Sequence, residues 1–401
     1  MSYSEPTRLA VVACPGGEVF ADAVIARIED IYKRRSNTSK NAVSFKKPDF
    51  KVKTNFTYFM NGEFKAEIME SIRGKEVFIF QDMENHQKLA MNEGKNLLEL
   101  SVNDHLMAML VTIDAVRQAG ADKITLVVPA YPYSRQHKKK GREGLTAALL
   151  GHILEFMSVD RIITLDIHSR EIVNAFSKTH LENLHASYQI IRELGKLLGK
   201  TGELENLTVV SPDTGAIDRN KFYSSGLKKP LAMIYKERDY AVVSQNGKEN
   251  NIKTIKLLGE VGGRVAFLAD DLLGTGGTLL KAMEFLKEQG ASKVIAAISL
   301  PFFTGNAIAL FDEAYSAGLF YRIIGTNAVH HADLKSREWY VDTDVSGLFA
   351  SVVMRLYENR SVSSLLDNRL VIERLIKMSP QTTEEQTGLF DELVEADTAK
   401  Q

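Results

Sequence analysis

Residues 265–278 read VAFLADDLLGTGGT. The apolar run 265–269 reads as a strand, and at its end stand two adjacent carboxylates, Asp270 and Asp271. A loop of glycine and threonine then opens a helix expected over 277–288. The first N–H groups of a helix have no partner within it and lie at the positive end of its dipole, so a loop at that point suits a phosphate. Gly274, Gly276 and Gly277 allow the backbone a close approach to an anion. Thr275 and Thr278 add hydroxyl donors. The two carboxylates would repel a phosphate and are better placed for sugar hydroxyls or a divalent cation. Phosphate on the loop and hydroxyls on the acids describe a sugar phosphate. Neither GxxxxGK[ST] nor GxGxxG occurs here, so this is not a Walker loop or a dinucleotide fingerprint.

Outward from this stretch, short β-branched runs alternate with amphipathic segments. Strands are expected at 9–13, 77–81, 124–128, 162–166, 207–211, 231–235, 294–299 and 321–324. Helices are expected over 102–118, where Leu106, Leu110 and Ile113 share one face behind a Ser101/Asp104 capping box, and over 146–157. Such alternation reads as α/β with parallel sheets. Residues 207–225 (LTVVSPDTGAIDRNKFYSS) repeat the strand, acid, glycine and helix order of 265–283. In open α/β sheets, ligands bind beyond the C-terminal ends of the strands, where both units place their acids.

The chain has 401 residues, which favours two domains. Fifty Lys+Arg against 51 Asp+Glu argue against bulk nucleic-acid binding. A single cysteine, Cys14, cannot form an internal disulfide and fits a reducing, cytoplasmic setting. No apolar run is long enough for a spanning helix, and the N-terminus lacks signal-peptide character. Three segments stand apart. Residues 33–53 carry eight Lys/Arg and one Asp with little periodicity; 240–252 are polar and expected to form a loop; 381–401 carry six acids and one Lys and are expected to be partly disordered.

Lys236 and Arg238 follow an apolar strand in YKER. If the strand continues, both cations share one face and can stabilise charge on a transferring phosphoryl group. His168, in TLDIHS, and Asp213, in SPDTG, both follow strands; a neutral imidazole can bind or orient a metal-nucleotide, and the acid can hold a divalent cation. Arg135 and Gln136, in YSRQ, offer a planar fork for phosphate and a group able to read an adenine edge. Phe59, Asn61 and Glu63, in FMNGE, fall in a short turn expected to precede a helical segment; the ring can stack on a base while the polar pair contacts base or ribose.

Several of these segments together resemble a known family. DDLLGTGGT is similar to the phosphoribosyl-diphosphate loop of type I phosphoribosyltransferase-like proteins. FMNGE (59–63), residues 103–136, TLDIHS (164–169), VVSPDTGAIDR (209–219), YKER (235–238) and residues 325–356 resemble, in order, the motifs of ribose-phosphate diphosphokinase. The match spans roughly residues 55 to 366. It implies two tandem type I phosphoribosyltransferase-like α/β domains, each a mostly parallel sheet flanked by helices. The expected division is 1–175 for the first, with the basic insert 33–53, and 176–335 for the second. Residues 336–366 are expected to return to the first, ahead of a helical, then acidic, tail at 367–401.

The activity implied is transfer of the diphosphoryl group of ATP to the 1-hydroxyl of ribose 5-phosphate, with Mg2+ as MgATP. By the resemblance Lys236 is catalytic, and Arg238 contacts ATP and ribose phosphate. Asp270, Asp271 and Gly274 to Thr278 bind ribose 5-phosphate. Phe59, Asn61, Glu63, Arg135 and Gln136 bind ATP, and His168 and Asp213 hold the metal. A homo-oligomer, commonly a hexamer, is implied, with the Phe59 segment reaching the ATP site of a neighbouring subunit. The sequence departs from the family pattern at four positions: Gly274 stands where a third acid is usual, Asn61 and His137 where Asp is usual, and Ala216 where a second Gly is usual. These departures keep open one alternative, a catalytically weak regulatory homologue that associates with an active synthetase; the shared loop leaves a second, a base phosphoribosyltransferase, which would need no ATP segment such as FMNGE or YSRQ.

Overall fold

The computed structural model describes residues 8–38, 49–92, 94–139, 141–238 and 252–377. The first half runs β1 (Leu9–Ala13), α1 (Glu18–Thr38), β2 (Thr54–Tyr58), β3 (Phe64–Ile68), β4 (Glu76–Phe80), β5 (Lys88–Met91), β6 (Asn96–Glu99), α2 (Val102–Gln118), β7 (Lys123–Val127), α3 (Thr146–Phe156), β8 (Arg161–Leu165) and β9 (His180–Leu184). Strands β1, β4, β7, β8 and β9 form a parallel sheet in that order. Strands β1, β4, β7 and β8 are buried almost throughout, as expected of strands covered by helices on both faces, whereas the edge strand β9 is buried only at Leu184.

The second half runs α4 (Ser187–Leu198), β10 (Leu207–Ser211), α5 (Ile217–Leu227), β11 (Leu231–Arg238), β12 (Ile252–Leu258), β13 (Val265–Leu273), α6 (Gly277–Glu288), β14 (Lys293–Pro301), α7 (Ala307–Ser316), β15 (Arg322–Thr326), β16 (Tyr340–Thr343), α8 (Ser346–Tyr357), α9 (Ser363–Leu366) and α10 (Arg369–Lys377). Its sheet has the order β12-β11-β10-β13-β14-β15-β16 and is parallel except for the β11–β12 pair. The first sheet thus takes in a strand beyond residue 175, and the second takes in β16, beyond residue 335.

One apolar core joins the halves. It gathers Phe80 and Leu165 from the first sheet, Val209 and Phe267 from the second, and side chains of α1, α4, α5, α8 and α10 between them. Helix α8 packs on α1, where Phe349 meets Phe20 edge-on with ring centroids 5.0 Å apart. Helices α2 and α3 cover the outer face of the first sheet, and α6 and α7 that of the second.

The capping box of α2 is present in full: Ser101 Oγ accepts from the Asp104 N–H at 3.2 Å, and Asp104 Oδ2 accepts from the Ser101 N–H at 2.9 Å. Residues 39–48 of the 33–53 segment lie outside the described residues, and the flanking parts are regular. Helix α1 continues to Thr38, and Phe50–Val52 returns beside β1, with Lys51 paired to Asp22. Nearly all of the polar segment 240–252, and the acidic tail, lie outside the described residues. The turn at Phe59–Glu63 does not lead into a helix; it closes the β2–β3 hairpin. Five residues of alternating character on each side give period-two pairing, and these were too few to distinguish from the start of a helical face.

Candidate active site

Strand order locates the crevice. In the second sheet the chain proceeds from β10 outward to β12, then starts again on the other side of β10 with β13. This reversal is a topological switch point, and the loops leaving β10 and β13 diverge there to leave a crevice. Asp213 lies on the first loop, and Asp270 and Asp271 stand in β13 itself, near its C-terminal end. The first sheet has no reversal, so its contribution comes across the domain junction, from the end of β8.

That contribution is His168. Its Nδ1–H donates to Asp271 Oδ2 at 2.7 Å. The His137 ring meets the His168 ring edge-on with centroids 5.4 Å apart, which brings the YSRQ loop against the same corner. Arg135 and Gln136 are exposed on that loop, and Gln136 Oε1 accepts from Thr146 Oγ1 at 2.6 Å.

The acid pair divides electrically. Asp270 lies well above the usual carboxylate range, because burial penalises its charge and Asp271 repels it. Asp271 moves the opposite way: burial opposes its ionisation, but the His168 hydrogen bond and the Arg219 charge outweigh it. Asp270 Oδ1 also accepts from the Asp271 N–H at 2.9 Å. One carboxyl thus holds its proton more tightly while its neighbour stays ionised.

The glycine loop is only partly dictated by sterics. Gly276 caps α6 with φ +78°, and a side chain there would overlap the Phe311 ring. Gly274 has no such need; a Cβ would stand 3.6 Å from Thr304 Oγ1, an ordinary contact. The acid usual at that position is therefore absent without a steric reason. Thr275 and Thr278 are exposed, and no side chain caps the N–H groups that open α6.

Asp213 is held by its own turn: its Oδ1 accepts from the Ala216 N–H at 3.0 Å, and its carbonyl from Ser211 Oγ at 2.7 Å. Lys236 and Arg238 belong to β11 itself, opposite Ile255 and Ile252 of β12. A register shift falls opposite Glu237 and Arg238, and the extra residue is Lys253 on β12, so β11 itself runs on without a bulge.

Residues 44–157 match the model of the N-terminal domain of ribose phosphate pyrophosphokinase, and 177–339 that of the phosphoribosyl transferase domain. Ribose-phosphate pyrophosphokinase A of Dictyostelium discoideum is 34% identical, over 77% of this chain and 88% of its own. The ribose-phosphate pyrophosphokinase of Bacillus caldolyticus is 33% identical, over 79% of this chain and 90% of its own. The chain belongs to the ribose-phosphate pyrophosphokinase family. The crystal structure of phosphoribosylpyrophosphate synthetase from Mycobacterium smegmatis shares the fold, with a TM-score of 0.69 and 25% identity over 88% of this chain and 99% of that one. Family membership makes the chain an ATP-dependent diphosphotransferase, with the two-domain, mostly parallel architecture just described.

Within that family frame, two residues stand out that the motif reading passed over. Asp166, at the end of β8, is buried and accepts from Ser299 Oγ at 2.6 Å, His185 Nδ1 at 2.8 Å and the Ala186 N–H at 3.1 Å. Arg219 of α5 pairs with it at 3.1 Å and is also the cation that biases Asp271. Both sit inside quoted motifs, LDIHS and SPDTGAIDR, but their partners lie at distant positions in the chain.

Proposed function

We propose that the crevice carries out the family's reaction, moving the β,γ-diphosphoryl group of ATP to O1 of ribose 5-phosphate. O1 attacks the β-phosphorus, the bond from that phosphorus to the bridging oxygen on the α-phosphate breaks, and AMP leaves. The observation that carries this reading is the meeting of His168, the Asp270–Asp271 pair and the uncapped N-terminus of α6 at the switch point.

In this reading the 5-phosphate rests on Thr275–Thr278 and the free N–H groups, while Asp270 and Asp271 take ring hydroxyls. Arg135 and Gln136 serve ATP from the neighbouring loop, which is consistent with the His137–His168 contact. Lys236 and Arg238 neutralise charge on the transferring group. Phe59, Asn61 and Glu63, all exposed on a hairpin tip, are suited to reach the ATP of a neighbouring subunit. An oligomer also accounts for Leu149, Ile153 and Phe156, an exposed apolar row on α3. A cytosolic setting agrees with the buried, free Cys14. No helix among the described residues is long and apolar enough to cross a membrane.

The residues present fit Mg2+ bound with its nucleotide. His168 spends Nδ1 on Asp271 and keeps Nε2, and Asp213 keeps one oxygen beyond its turn hydrogen bond. Among the described residues no cluster of three or more ligating side chains forms an all-protein cage. Mg2+ commonly needs only one or two protein ligands beside substrate phosphates, and when bound it neutralises phosphate charge.

Release of AMP from ATP plus ribose 5-phosphate, followed in a coupled assay, tests the reading. Ribose-dependent AMP is expected, and Lys236→Ala should lower kcat by about 10²-fold or more. AMP release that ignores ribose 5-phosphate would overturn it.

A further inference from the structure

The β2–β3 hairpin exposes an outer edge. The Phe59 N–H donates to the Glu63 carbonyl at 2.9 Å, so the adjacent Tyr58–Phe64 pair is the non-hydrogen-bonded kind. The Tyr58 N–H and C=O therefore point away from β3. One side chain meets both: Asn92 Oδ1 accepts from the Tyr58 N–H at 2.8 Å, and Asn92 Nδ2 donates to the Tyr58 carbonyl at 2.9 Å. A single amide replaces a third strand.

Asn92 has φ +54°, a conformation that asparagine and glycine tolerate best. It follows β5, and the segment leading into β5 is tied into the domain. Asn85 Nδ2 donates to the Gly16 carbonyl at 2.8 Å, His105 Nε2 donates to the Asn85 carbonyl at 2.9 Å, and Met83 and Met91 are buried. The β5–β6 hairpin is thus a strut from the buried interior to the residue before the Phe59–Glu63 turn. All five residues of that turn are exposed, and its internal bonds are few: Gly62 N–H to the Phe59 carbonyl at 2.9 Å, and Glu63 N–H to Asn61 Oδ1 at 3.3 Å.

We infer that Asn92 is a positioning residue for the nucleotide: by gripping Tyr58 it fixes the orientation in which the Phe59–Glu63 turn meets the adenine nucleotide. This rests on the proposed ATP role of that turn.

The test uses the full chain and three variants. Asn92→Gly keeps the backbone conformation and removes both hydrogen bonds. Asn92→Asp keeps the acceptor and loses the donor. Phe59→Ala probes the turn itself. With steady-state assays varying each substrate, Asn92→Gly should raise the KM for MgATP roughly five- to tenfold and leave the KM for ribose 5-phosphate unchanged, with Asn92→Asp intermediate. A parental KM for MgATP in Asn92→Gly, beside a raised one in Phe59→Ala, overturns the inference and spares the ATP role of the turn. Equal increases in both KM values also overturn it, since general loosening would not discriminate. If Phe59→Ala leaves the KM for MgATP unchanged, the ATP role of the turn falls and the inference falls with it.

Discussion

His168 and Asp271 join the two halves of the molecule through one hydrogen bond, from Nδ1 to Oδ2 at 2.7 Å across a sequence separation of 103 residues. The imidazole ends the first sheet's contribution and the carboxylate begins the second's, so the bond orients both site groups at once. Asp271→Asn removes the acceptor's charge and leaves the ring a neutral, weaker partner. It should lower kcat/KM for ribose-dependent AMP release by about 10²-fold. Activity within twofold of the parent would show that the pair does not serve the reaction.

Glycine loops are often credited with uniform importance, but positions 274 and 276 differ. Gly276→Ala forces a side chain into the Phe311 ring at a positive φ and should cost about 1–3 kcal/mol in urea unfolding. At Gly274 an added Cβ makes only an ordinary contact with Thr304 Oγ1, and Gly274→Asp restores the usual third acid. It should fold as stably as the parent and lower the KM for ribose 5-phosphate. A loss of stability in Gly274→Asp equal to that in Gly276→Ala would contradict the steric account.

Much of this was legible in the sequence for identifiable reasons. Buried parallel strands are short continuous apolar runs, and 207–211 and the helix at 102–118 were legible to the residue, the latter because its capping box marks its start. The small strands were not. KLAM and NLLE contain no β-branched residue, and their pairing depends on the hairpin turn between them. The end of strand β13 was also hidden. Two carboxylates suggest a stop at residue 269, yet pairing with β14 continues to Leu273–Pro301, with Leu272 and Leu273 buried again beyond the acid pair. Asp166 could have been suspected as an acid ending a buried apolar strand, but nothing local names Arg219 or Ser299 as its partners.

Asp82 gives the fold a pH dependence away from the crevice. It accepts from the Glu84 N–H at 3.0 Å and, across the domain junction, from the His330 N–H at 2.8 Å. Burial pushes its carboxyl up to about 7; the two N–H donors and His86 oppose the rise, and Glu84 adds to it. Between the ordinary carboxylate range and that value, the folded chain keeps a proton that the unfolded chain has lost. Stability from this group therefore falls as pH rises from about 4 to about 7, by up to about 1.4 kcal/mol per pH unit. Urea midpoints at pH 5 and pH 7 should converge in Asp82→Asn relative to the parent. Parallel pH dependence in the two proteins would exclude Asp82 as the source.

Asp166 and Arg219 form a further tie between the sheets, and here the cost of breaking the pair can be separated from the cost of its burial. Asp166 is buried at φ +43°, and Ser299, His185, Ala186 and Arg219 occupy its acceptor sites. Burial opposes its charge, yet Arg219 and His185 hold it well below the usual carboxylate range. Asparagine tolerates the same backbone conformation, so Asp166→Asn removes the charge with little strain. It leaves a largely buried guanidinium facing an amide, beside the Asp270–Asp271 pair. The single change should cost about 3–5 kcal/mol in urea unfolding, the usual penalty for orphaning a buried charge. Adding Arg219→Met to Asp166→Asn should recover part of that loss, because an apolar chain of similar length has no charge to leave unpaired. In the resulting double-mutant cycle the coupling energy should be about 1–3 kcal/mol. A cost under about 1 kcal/mol for Asp166→Asn alone, or a cycle that closes without coupling, would mean that the apolar core shared by the two sheets, rather than this ion pair, sets how the halves of the crevice meet.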